Sequence, residues 1–443
     1  MESRDEIPAI IRKGIVLLIS LNFPPETSGG ATGAWNRAMV LQNIGFKVFV
    51  LAGISQIRNG EDNSRNYQHK VFFVETIDDF TVIRLRVPRL KNNGIVRPFL
   101  MFVSFIILSV FYLPKIWKLT SSVDIIYARS PIVFCSIIGY IYSKFMHSYY
   151  IYEAPDIWPD ELVVIKSPLL PLVLSLGRVF AKFSYASPDL ILTISESASD
   201  YIKDNYKPKV RVFGIPSGVD IKKFSPSPTL EARKRLVEDG IYDQNLLDKF
   251  IILYSGRLSD AQKVEDLAYA AERLNEYSDI RIVIIGEGPG KKILEQLKSD
   301  KKLSNLVLMP PQRRELMPSI ISSVNVCTIF LSSEPIYDIA IPTKFYEYLG
   351  CQKPMIGVCG GEVEKIINKN NIGFTCRSGE IDKLTIAIIR LRNVGELSLV
   401  EENCSSALNE FSLEAITEKF MKILKENYVI HDSSYHNFRS DLE

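Results

Sequence analysis

Short apolar runs that alternate with helical patterns constrain this chain more than any other feature of its sequence. Residues 15–20 read IVLLIS, and a turn-rich stretch with Pro, Ser and Gly follows at 22–30. Residues 34–43 have the apolar spacing of a helix that stops at Gly45, and a second apolar run begins at Lys47. A strand, a helix and a strand within about forty residues predict a parallel, right-handed βαβ unit.

The same alternation continues through the 443 residues. In the first half, further strands are expected around Ile125, Ile151, Leu192 and Val212. In the second half, the predicted strands are 250–255, 280–285, one around 306, 326–331 and 354–358, and the predicted helices are 264–275, 290–298, 314–323, 343–349 and 361–369. The pattern predicts an α/β protein with two doubly wound, parallel-sheet domains.

A polar stretch that opens with two prolines separates the two halves. We predict an N-terminal domain at 1–225, an interdomain linker at 226–249 and a C-terminal domain at 250–411. A last helical pattern at 412–428 precedes a polar tail at 429–443, which we expect to be disordered.

Charge and composition exclude several classes of protein. Hydrophobic residues make up 47% of the chain and charged residues 23%, which excludes wholesale disorder. The net charge of +2 gives no basic excess for nucleic acid. The first 225 residues carry a charge of +7 and the remainder −5, so the first half is expected to meet an anionic partner such as a lipid surface.

The cysteines and histidines give no metal-binding pattern. The six cysteines show no CxxC spacing and the four histidines are scattered, so we expect buried free thiols and no metal site. The charged N-terminus lacks the apolar run of a signal peptide, which favours a cytoplasmic protein.

Residues 98–114 form an uncharged, mostly apolar run of 17 residues between Arg97 and Lys115. A helix that spans a membrane needs about 20 apolar residues, so the run is short for a crossing. It is either a helix buried in the domain or a monotopic membrane face, assisted by the apolar segments 132–143 and 167–177 and their neighbouring cations. Contact with a membrane surface is the favoured interpretation.

Two cations follow the first strand of the second half. Arg257 and Lys263 lie with Gly256 in YSGRLSDAQK, where a loop reaches the carboxyl edge of a parallel sheet. There they could neutralise a diphosphate, or they could be solvated loop charges. Gly286 and Gly288 follow the next strand in GEGPG, where they either let backbone N–H groups approach a phosphate or form a tight turn.

A third candidate is IPTKFYEYLG at 341–350. Thr343 and Lys344 fall in the exposed first turn of a helix, and Glu347 lies one turn further along the same face. The Glu347 carboxylate could accept both hydroxyls of a ribose, or it could be a surface carboxylate beside a surface lysine.

The first half contributes two candidate positions. Gly29 and Gly30, in the loop after the first strand, could let the backbone approach a ligand. Asp156 in APDIWPDE ends a strand, where it is either a helix cap or a catalytic carboxylate.

Together and in this order, the motifs resemble the retaining GT-B glycosyltransferases of family 4, in the WbuB-like branch of surface-polysaccharide enzymes. The resemblance extends from Ile15 to about Lys425. Its motifs are NFPPETSGGATG, APDIWPDE, IPSGVDIKKFSP, YSGRLSDAQK, IIGEGPG and, as the most specific, IPTKFYEYLGCQKPMIG.

The resemblance implies two Rossmann-like domains that face a central cleft, with the last helix crossing back to the N-terminal domain. The C-terminal domain would hold a UDP-sugar, or less favoured a GDP-sugar, and the N-terminal domain a lipid-linked or glycan acceptor. The enzyme would be peripheral at the inner face of the membrane and would need no metal or other cofactor, which agrees with the absence of an Asp-x-Asp motif.

The resemblance also assigns roles to residues. Arg257 and Lys263 would bind the diphosphate and stabilise the leaving group, Glu347 would hold the ribose, and Asp156 would contact the sugar or an acceptor hydroxyl. The other implied donor-binding residues are Gly29, Gly30, Gly256, Gly286, Gly288, Thr343 and Lys344.

Two departures from the family pattern keep alternatives open. Ile339, next to Asp338, stands where the wider family has a second Glu, and no catalytic histidine is evident in the first half. The alternatives are an epimerase or hydrolase of sugar nucleotides with the same fold, and an inactive membrane-associated scaffold.

Overall fold

The computed structural model describes residues 14–26, 28–54, 70–87, 96–130, 134–164, 170–259 and 262–440. The chain divides into two compact units, of which unit 1 comprises Met1–Ser217 and Leu413–Glu443, and unit 2 comprises Gly218–Ser412. The division falls at 217 rather than at the predicted 225. Val219 belongs to unit 2 because its N–H donates to the Phe411 carbonyl at 2.9 Å.

Unit 1 contains an eight-stranded sheet in the order β3-β4-β2-β1-β5-β6-β7-β8. Its strands are β1 (Ile15–Ile19), β2 (Lys47–Gly53), β3 (Phe72–Ile77), β4 (Phe80–Leu85), β5 (Ile125–Arg129), β6 (Tyr149–Ala154), β7 (Leu190–Thr193) and β8 (Val212–Gly214). Its helices are α1 (Gly29–Ile44), α2 (Val96–Thr120), α3 (Phe134–Met146), α4 (Leu170–Ala186), α5 (Glu196–Tyr206) and the last helix of the chain, α14 (Leu413–Ser440). β3 pairs antiparallel with β4, and the other neighbours pair in parallel.

Unit 2 contains a six-stranded parallel sheet in the order β11-β10-β9-β12-β13-β14. Its strands are β9 (Phe250–Ser255), β10 (Ile280–Ile285), β11 (Leu306–Met309), β12 (Val326–Phe330), β13 (Met355–Val358) and β14 (Gly373–Cys376). Its helices are α6 (Thr229–Glu238), α7 (Asp266–Arg273), α8 (Lys291–Asp300), α9 (Met317–Ser322), α10 (Thr343–Gly350), α11 (Gly361–Asn370), α12 (Ile381–Leu391) and α13 (Val394–Phe411). The strand order reverses between β9 and β12, and ligands of such sheets bind outside the carboxyl ends of the strands at that point.

The last helix packs on unit 1. Leu413, Ile416, Phe420 and Leu424 of α14 are buried in the same core as β1, β2 and α1. The helix continues to Ser440, so the tail predicted from residue 429 is helical over most of its length. No Pro or Gly occurs between 412 and 440, so nothing in the sequence stops the helix where the apolar pattern fades.

The segment predicted to be a linker, 226–249, is instead part of unit 2. It carries α6, and Arg233 of this helix is buried. Its guanidinium donates to the Ser323 carbonyl at 2.7 Å and to Asn325 Oδ1 at 2.8 Å. A single buried arginine with these acceptors fixes a polar helix to the sheet, which a composition argument does not detect.

The apolar run at 98–114 lies in α2. Within the described residues, one helix is long and apolar enough by composition to cross a membrane, over Leu100–Thr120. One side of it packs into unit 1, with Phe105, Ser109 and Ile116 buried and the Tyr142 hydroxyl of α3 donating to the Ser109 carbonyl at 2.7 Å. The other side is exposed and apolar, so a helix wholly buried in the domain is excluded, and contact with a membrane surface stays a prediction.

A buried carboxylate organises the carboxyl end of the unit 1 sheet. Glu153 in β6 is fully buried, with Arg37 Nη2 at 2.8 Å, Arg129 Nε at 3.1 Å and the Tyr127 hydroxyl donating at 2.8 Å. Burial by itself would raise the pKa of Glu153, but the two guanidinium groups and the hydroxyl lower it below its ordinary value. Arg129 Nη1 also donates to the Gly30 carbonyl at 3.2 Å, so the cluster joins β5, β6 and the start of α1.

We expect Glu153→Gln to reduce the free energy of unfolding of unit 1 by about 3–5 kcal/mol at pH 7, because two buried arginines lose their counter-charge. All three tryptophans of the chain lie in unit 1, so their fluorescence during urea unfolding reports on this unit. The difference between variant and wild type should be complete above the unfolded pKa of about 4.3 and should shrink as the pH falls through the lower folded pKa.

Asp200→Asn is the matched control. Asp200 pairs with Lys203 at 3.2 Å on the surface of the same unit, and both side chains are largely exposed. Loss of this surface ion pair should change the free energy of unfolding by less than about 1 kcal/mol. An equally small effect of Glu153→Gln would contradict the importance of the buried cluster.

Candidate functional site

Two loops touch at the carboxyl edge of the unit 2 sheet. Gly256 follows β9 with a φ of +146°, and Gly288 follows β10 with a φ of +147°, a region that side chains rarely adopt. A Cβ on Gly286 would collide with the Gly256 carbonyl, and one on Gly288 with the Leu258 carbonyl. The glycines are therefore needed for the packing of one loop on the other, which leaves their function as ligand contacts a prediction.

Lys344 occupies the space that Gly256 leaves open. A Cβ on Gly256 would lie 2.5 Å from Lys344 Nζ, and this ammonium stands 4.2 Å from the centre of the Tyr254 ring. The Tyr254 hydroxyl donates to the Arg257 carbonyl at 2.7 Å, which fixes the ring beneath the lysine. The ammonium is thus held at one position on the sheet edge by a glycine and a ring.

The electrostatics of Lys344 suit an anionic ligand. The surrounding protein desolvates the half-buried ammonium and lowers the pKa of Lys344 to about 8, while Glu347 acts in the opposite direction. Lys344 forms no ion pair with any residue that the structure describes. It lies in the first turn of α10, where helical N–H groups also favour a negative charge.

Glu347, one turn along α10, is buried and paired with a residue that sequence reasoning did not select. Its Oε1 accepts from Arg314 Nη2 at 2.6 Å. The Arg314 guanidinium lies 5.2 Å from the centre of the Phe224 ring, so it is held on both sides. Arg314 follows β11 at the same sheet edge, and that position was the available signal in the sequence. Glu347 is not the solvated surface carboxylate of the alternative interpretation.

The predicted cations of the β9 loop are exposed. Arg257 forms no ion pair with the described residues, which exclude 260 and 261 of this loop. Lys263 has a φ of +50° and lies 3.7 Å from Glu265 Oε1. Both side chains are free to reorient towards a ligand, and neither is fixed in the way that Lys344 is.

Asp338 lies at the same edge as these groups. A Cβ on Gly360, at the start of α11, would be 2.6 Å from Asp338 Oδ1. The carboxylate therefore approaches the turn that follows β13, although the neighbouring Ile339 replaces the family's Glu. This proximity could not be predicted from a single sequence, since Asp338 and Gly360 belong to different connections.

The structure brings together Gly256, Arg257, Gly286, Gly288, Lys344 and, through α10, Thr343 and Glu347. Gly29, Gly30 and Asp156 belong to unit 1. The expectation that Gly29 and Gly30 lie in a loop is wrong, because they are the first residues of α1, with Ser28 as the N-cap accepting from the Ala31 N–H at 3.2 Å. Ser28 before a helical pattern was the signal for this earlier start.

Asp156 lies in the turn after β6 with its side chain accessible to solvent. Desolvation by the neighbouring protein raises the pKa of Asp156, and the charge of Arg129 opposes that shift. The nearby Glu161 has a pKa raised by burial and by Asp156, although its Oε1 accepts from the Ile157 N–H at 3.0 Å. Among the described residues Asp156 caps no helix, so it remains the candidate carboxylate of this segment.

The described residues include no group of three or more His, Cys, Asp or Glu that could hold a metal ion. All six cysteines are free and buried, as predicted from their spacing. Burial raises the pKa of Cys135, for example, to about 12, which makes its thiol unreactive.

Residues 242–399 match the family model of glycosyl transferases group 1. This range lies within unit 2 and contains the glycine loops, Arg314, Lys344 and Glu347. Residues 242–399 therefore form a glycosyl transferases group 1 domain, which supports the resemblance to the GT-B glycosyltransferases.

Two curated relatives come from Escherichia coli. WcaI of strain K12, assigned to colanic acid biosynthesis as a glycosyl transferase, is 26% identical over 183 residues, which cover 40% of this chain and 42% of WcaI. The UDP-Gal:alpha-D-GlcNAc-diphosphoundecaprenol alpha-1,3-galactosyltransferase is 24% identical over 253 residues, which cover 54% of this chain and 59% of the relative. The chain thus spans about two fifths to three fifths of these relatives.

The fold is that of solved GT-B proteins. Sucrose-phosphate synthase from Thermosynechococcus elongatus superimposes with a TM-score of 0.73 and 16% sequence identity, and the match covers 94% of this chain and 100% of that one. The predicted α/β class with two parallel-sheet domains is confirmed.

The lowered pKa of Lys344 predicts that this edge binds anions less tightly in alkaline solution. The ammonium is charged below about pH 8, and a bound diphosphate would keep it protonated to higher pH. We expect the dissociation constant for UDP, measured by calorimetry, to rise by up to about tenfold between pH 7 and pH 9. The Lys344→Arg variant keeps its positive charge over this range, and the ionisation of UDP itself affects the variant and the wild type equally. If the two proteins showed the same pH dependence of UDP binding, the assignment of that dependence to Lys344 would be contradicted.

Proposed function

We propose that this protein is a retaining glycosyltransferase of the hexosyltransferase type, which transfers a sugar from a UDP-sugar, or as a second choice a GDP-sugar, to a lipid-linked or glycan acceptor in surface-polysaccharide or glycoconjugate synthesis. The observation that carries the proposal is the ammonium of Lys344, desolvated and without an ion pair among the described residues. A charge held in this way gains its partner from an anionic ligand.

The donor diphosphate would be bound by cations from two connections. Lys344 is already in place beside Gly256, while the exposed Arg257 and Lys263 would close on the phosphates from the β9 loop. Backbone N–H groups near Gly286 and Gly288 add dipoles at the same edge. The galactosyltransferase relative is named for a UDP-sugar donor, which supports UDP as the first choice.

Glu347 would accept hydrogen bonds from the ribose hydroxyls. Arg314 takes Oε1, so the remaining lone pairs of the carboxylate are available to the ligand. Because Glu347 is buried and ion-paired, its orientation is fixed before the donor arrives, and little side-chain entropy is lost on binding.

The chemical step would rest on electrostatics. The bond from the sugar to the diphosphate breaks, and Arg257, Lys263 and Lys344 stabilise the negative charge that develops on the leaving phosphate. The acceptor hydroxyl attacks on the same face, and its proton passes to that phosphate. We propose that this step requires neither a metal ion nor another cofactor, since three cations can supply the necessary charge.

Unit 1 would hold the acceptor. Asp156 is exposed in the turn after β6, where its carboxylate can accept a hydrogen bond from an acceptor or sugar hydroxyl. The relative that acts on a diphosphoundecaprenol substrate supports a lipid-linked acceptor. We therefore propose that the enzyme is cytoplasmic and works peripherally at the inner face of the membrane.

A thermal-shift titration of the full chain tests the donor site. UDP, GDP and ADP are added with and without EDTA, and a ligand at about 100 times its dissociation constant should add roughly 2.7 kcal/mol of stability. We expect UDP to give the largest shift, with no effect of EDTA. No shift with any nucleotide would refute the donor site and favour an inactive scaffold.

Glu347→Gln should weaken UDP binding about tenfold or more, since hydrogen bonds to a charged carboxylate contribute about 1.5–3 kcal/mol. Glu272→Gln is the matched control, because Glu272 also forms an ion pair in unit 2, with Lys301 at 2.8 Å, but on the surface. Equal UDP affinities in the two variants would contradict the ribose assignment. Products formed from UDP-sugar without any acceptor would instead indicate an epimerase or hydrolase.

A further inference from the structure

Helix α4 buries small residues and exposes its large apolar side chains, whereas a surface helix of a soluble domain usually buries them. Its buried positions carry Gly177, Ala181, Ser184 and Tyr185. Its large aliphatic and aromatic side chains point outward, with exposed fractions of 59% for Leu172, 56% for Leu176, 65% for Val179, 44% for Phe180 and 39% for Phe183. Their spacing places them in one stripe along the helix, opposite the side that packs on unit 1.

The stripe continues across the neighbouring helices. The Phe180 ring lies 6.1 Å from Phe134 of α3, and the Phe183 ring 5.3 Å from Tyr140 of the same helix. Phe145, at the other end of α3, packs edge-on against Trp117 of α2 at 5.9 Å. We call this surface the apolar face; its exposed members are Ile107, Phe111, Trp117, Phe145, Leu172, Leu176, Val179, Phe180 and Phe183.

An apolar face of this kind needs a partner, because soluble monomers rarely expose contiguous apolar areas beyond a few hundred Å². Phe111 is 72% exposed and Ile107 60%, and they lie with other exposed apolar residues in one face rather than singly on the surface. The burial of the opposite side of α2 excludes the explanation that the whole helix is displaced from the fold.

The charges around the face identify the partner. The three helices α2, α3 and α4 contain no Asp or Glu, and their exposed cations are Lys115, Lys118, Lys144, Arg178 and Lys182. Arg178 is engaged with Asp160 at 3.1 Å, and the four lysines form no ion pair with the described residues. A symmetric contact between two copies of the chain would set like charges against each other, whereas an anionic lipid surface would neutralise them.

We infer that the apolar face docks on an anionic lipid bilayer, with the α4 stripe inserted at the boundary between headgroups and acyl chains and the lysines among the headgroups. The purpose of docking rests on the proposed function. α4 packs on the segment after Asp156, since a Cβ on Gly177 would lie 2.8 Å from Pro159 Cβ. Docking would therefore present Asp156 close to the membrane surface that carries a lipid-linked acceptor.

Co-sedimentation of the full chain with vesicles of phosphatidylcholine alone, or mixed with phosphatidylglycerol, tests this inference. We expect binding to the anionic vesicles that weakens as salt is raised, and little binding to the neutral ones. Leu176→Ser with Val179→Ser should weaken binding about tenfold or more, because two aliphatic side chains no longer leave water. Lys144→Glu with Lys182→Glu should remove the preference for anionic lipid.

The matched control is Ile386→Ser with Leu399→Ser in unit 2, whose side chains are 55% and 58% exposed and lie outside the apolar face. It should bind vesicles like the wild type. Equal binding by the α4 variant and the wild type would overturn the inference, as would a wild-type dimer that the α4 substitutions dissociate without any vesicle binding.

The UDP thermal shift separates this inference from the proposed function. The α4 variant should keep the wild-type shift, which also shows that it is folded. Vesicle binding without any nucleotide shift would remove the proposed function and leave the docking face. If the wild type gave a nucleotide shift but bound no vesicles, the inference about the apolar face would be overturned and the proposed function would remain.

Discussion

Parallel pairing of strands is the constraint on which the candidate site depends. In unit 2 all six strands end at one edge, so the connections after β9, β10 and β11 meet the start of α10 although they are far apart in the chain. Contact between these connections requires Gly256 and Gly286, where any side chain would collide with the opposing group. The site exists because crossovers gather distant residues and glycines let them touch.

Glu153 in unit 1 and Lys344 in unit 2 are both desolvated, but only the charge of Glu153 is compensated by neighbouring residues. In unit 1, Glu153 is compensated by Arg37 and Arg129 and therefore stabilises the sheet without being available to a ligand. In unit 2, Lys344 is desolvated and forms no ion pair with the described residues, and this desolvation lowers its pKa. An anionic ligand would offset the desolvation of the Lys344 ammonium. For this reason Lys344, rather than the compensated Glu153, indicates a binding site.

Particular residues show how much of the candidate site could be predicted from the sequence. Arg257, Lys344 and Glu347 were selected because they stand after strands or in the first turns of a helix, and the structure places them at the predicted edge. Arg314 occupies an equivalent position but was overlooked, since only the tertiary structure pairs it with Glu347. Polar composition predicted a linker where the buried contacts of Arg233 make a helix of unit 2.

The sequence by itself determined the class of fold and the edge of the sheet at which chemistry is possible. Apolar periodicity and the positions of the glycines are local properties, so they can be recognised without the tertiary structure. The tertiary structure decided which side chains are compensated, which are desolvated and which apolar faces stay exposed. Those properties depend on neighbours distant in sequence, as with Lys344 beside Gly256 and the outward stripe of α4. Periodicity shows that a helix has an apolar side, but only packing shows whether the protein covers it.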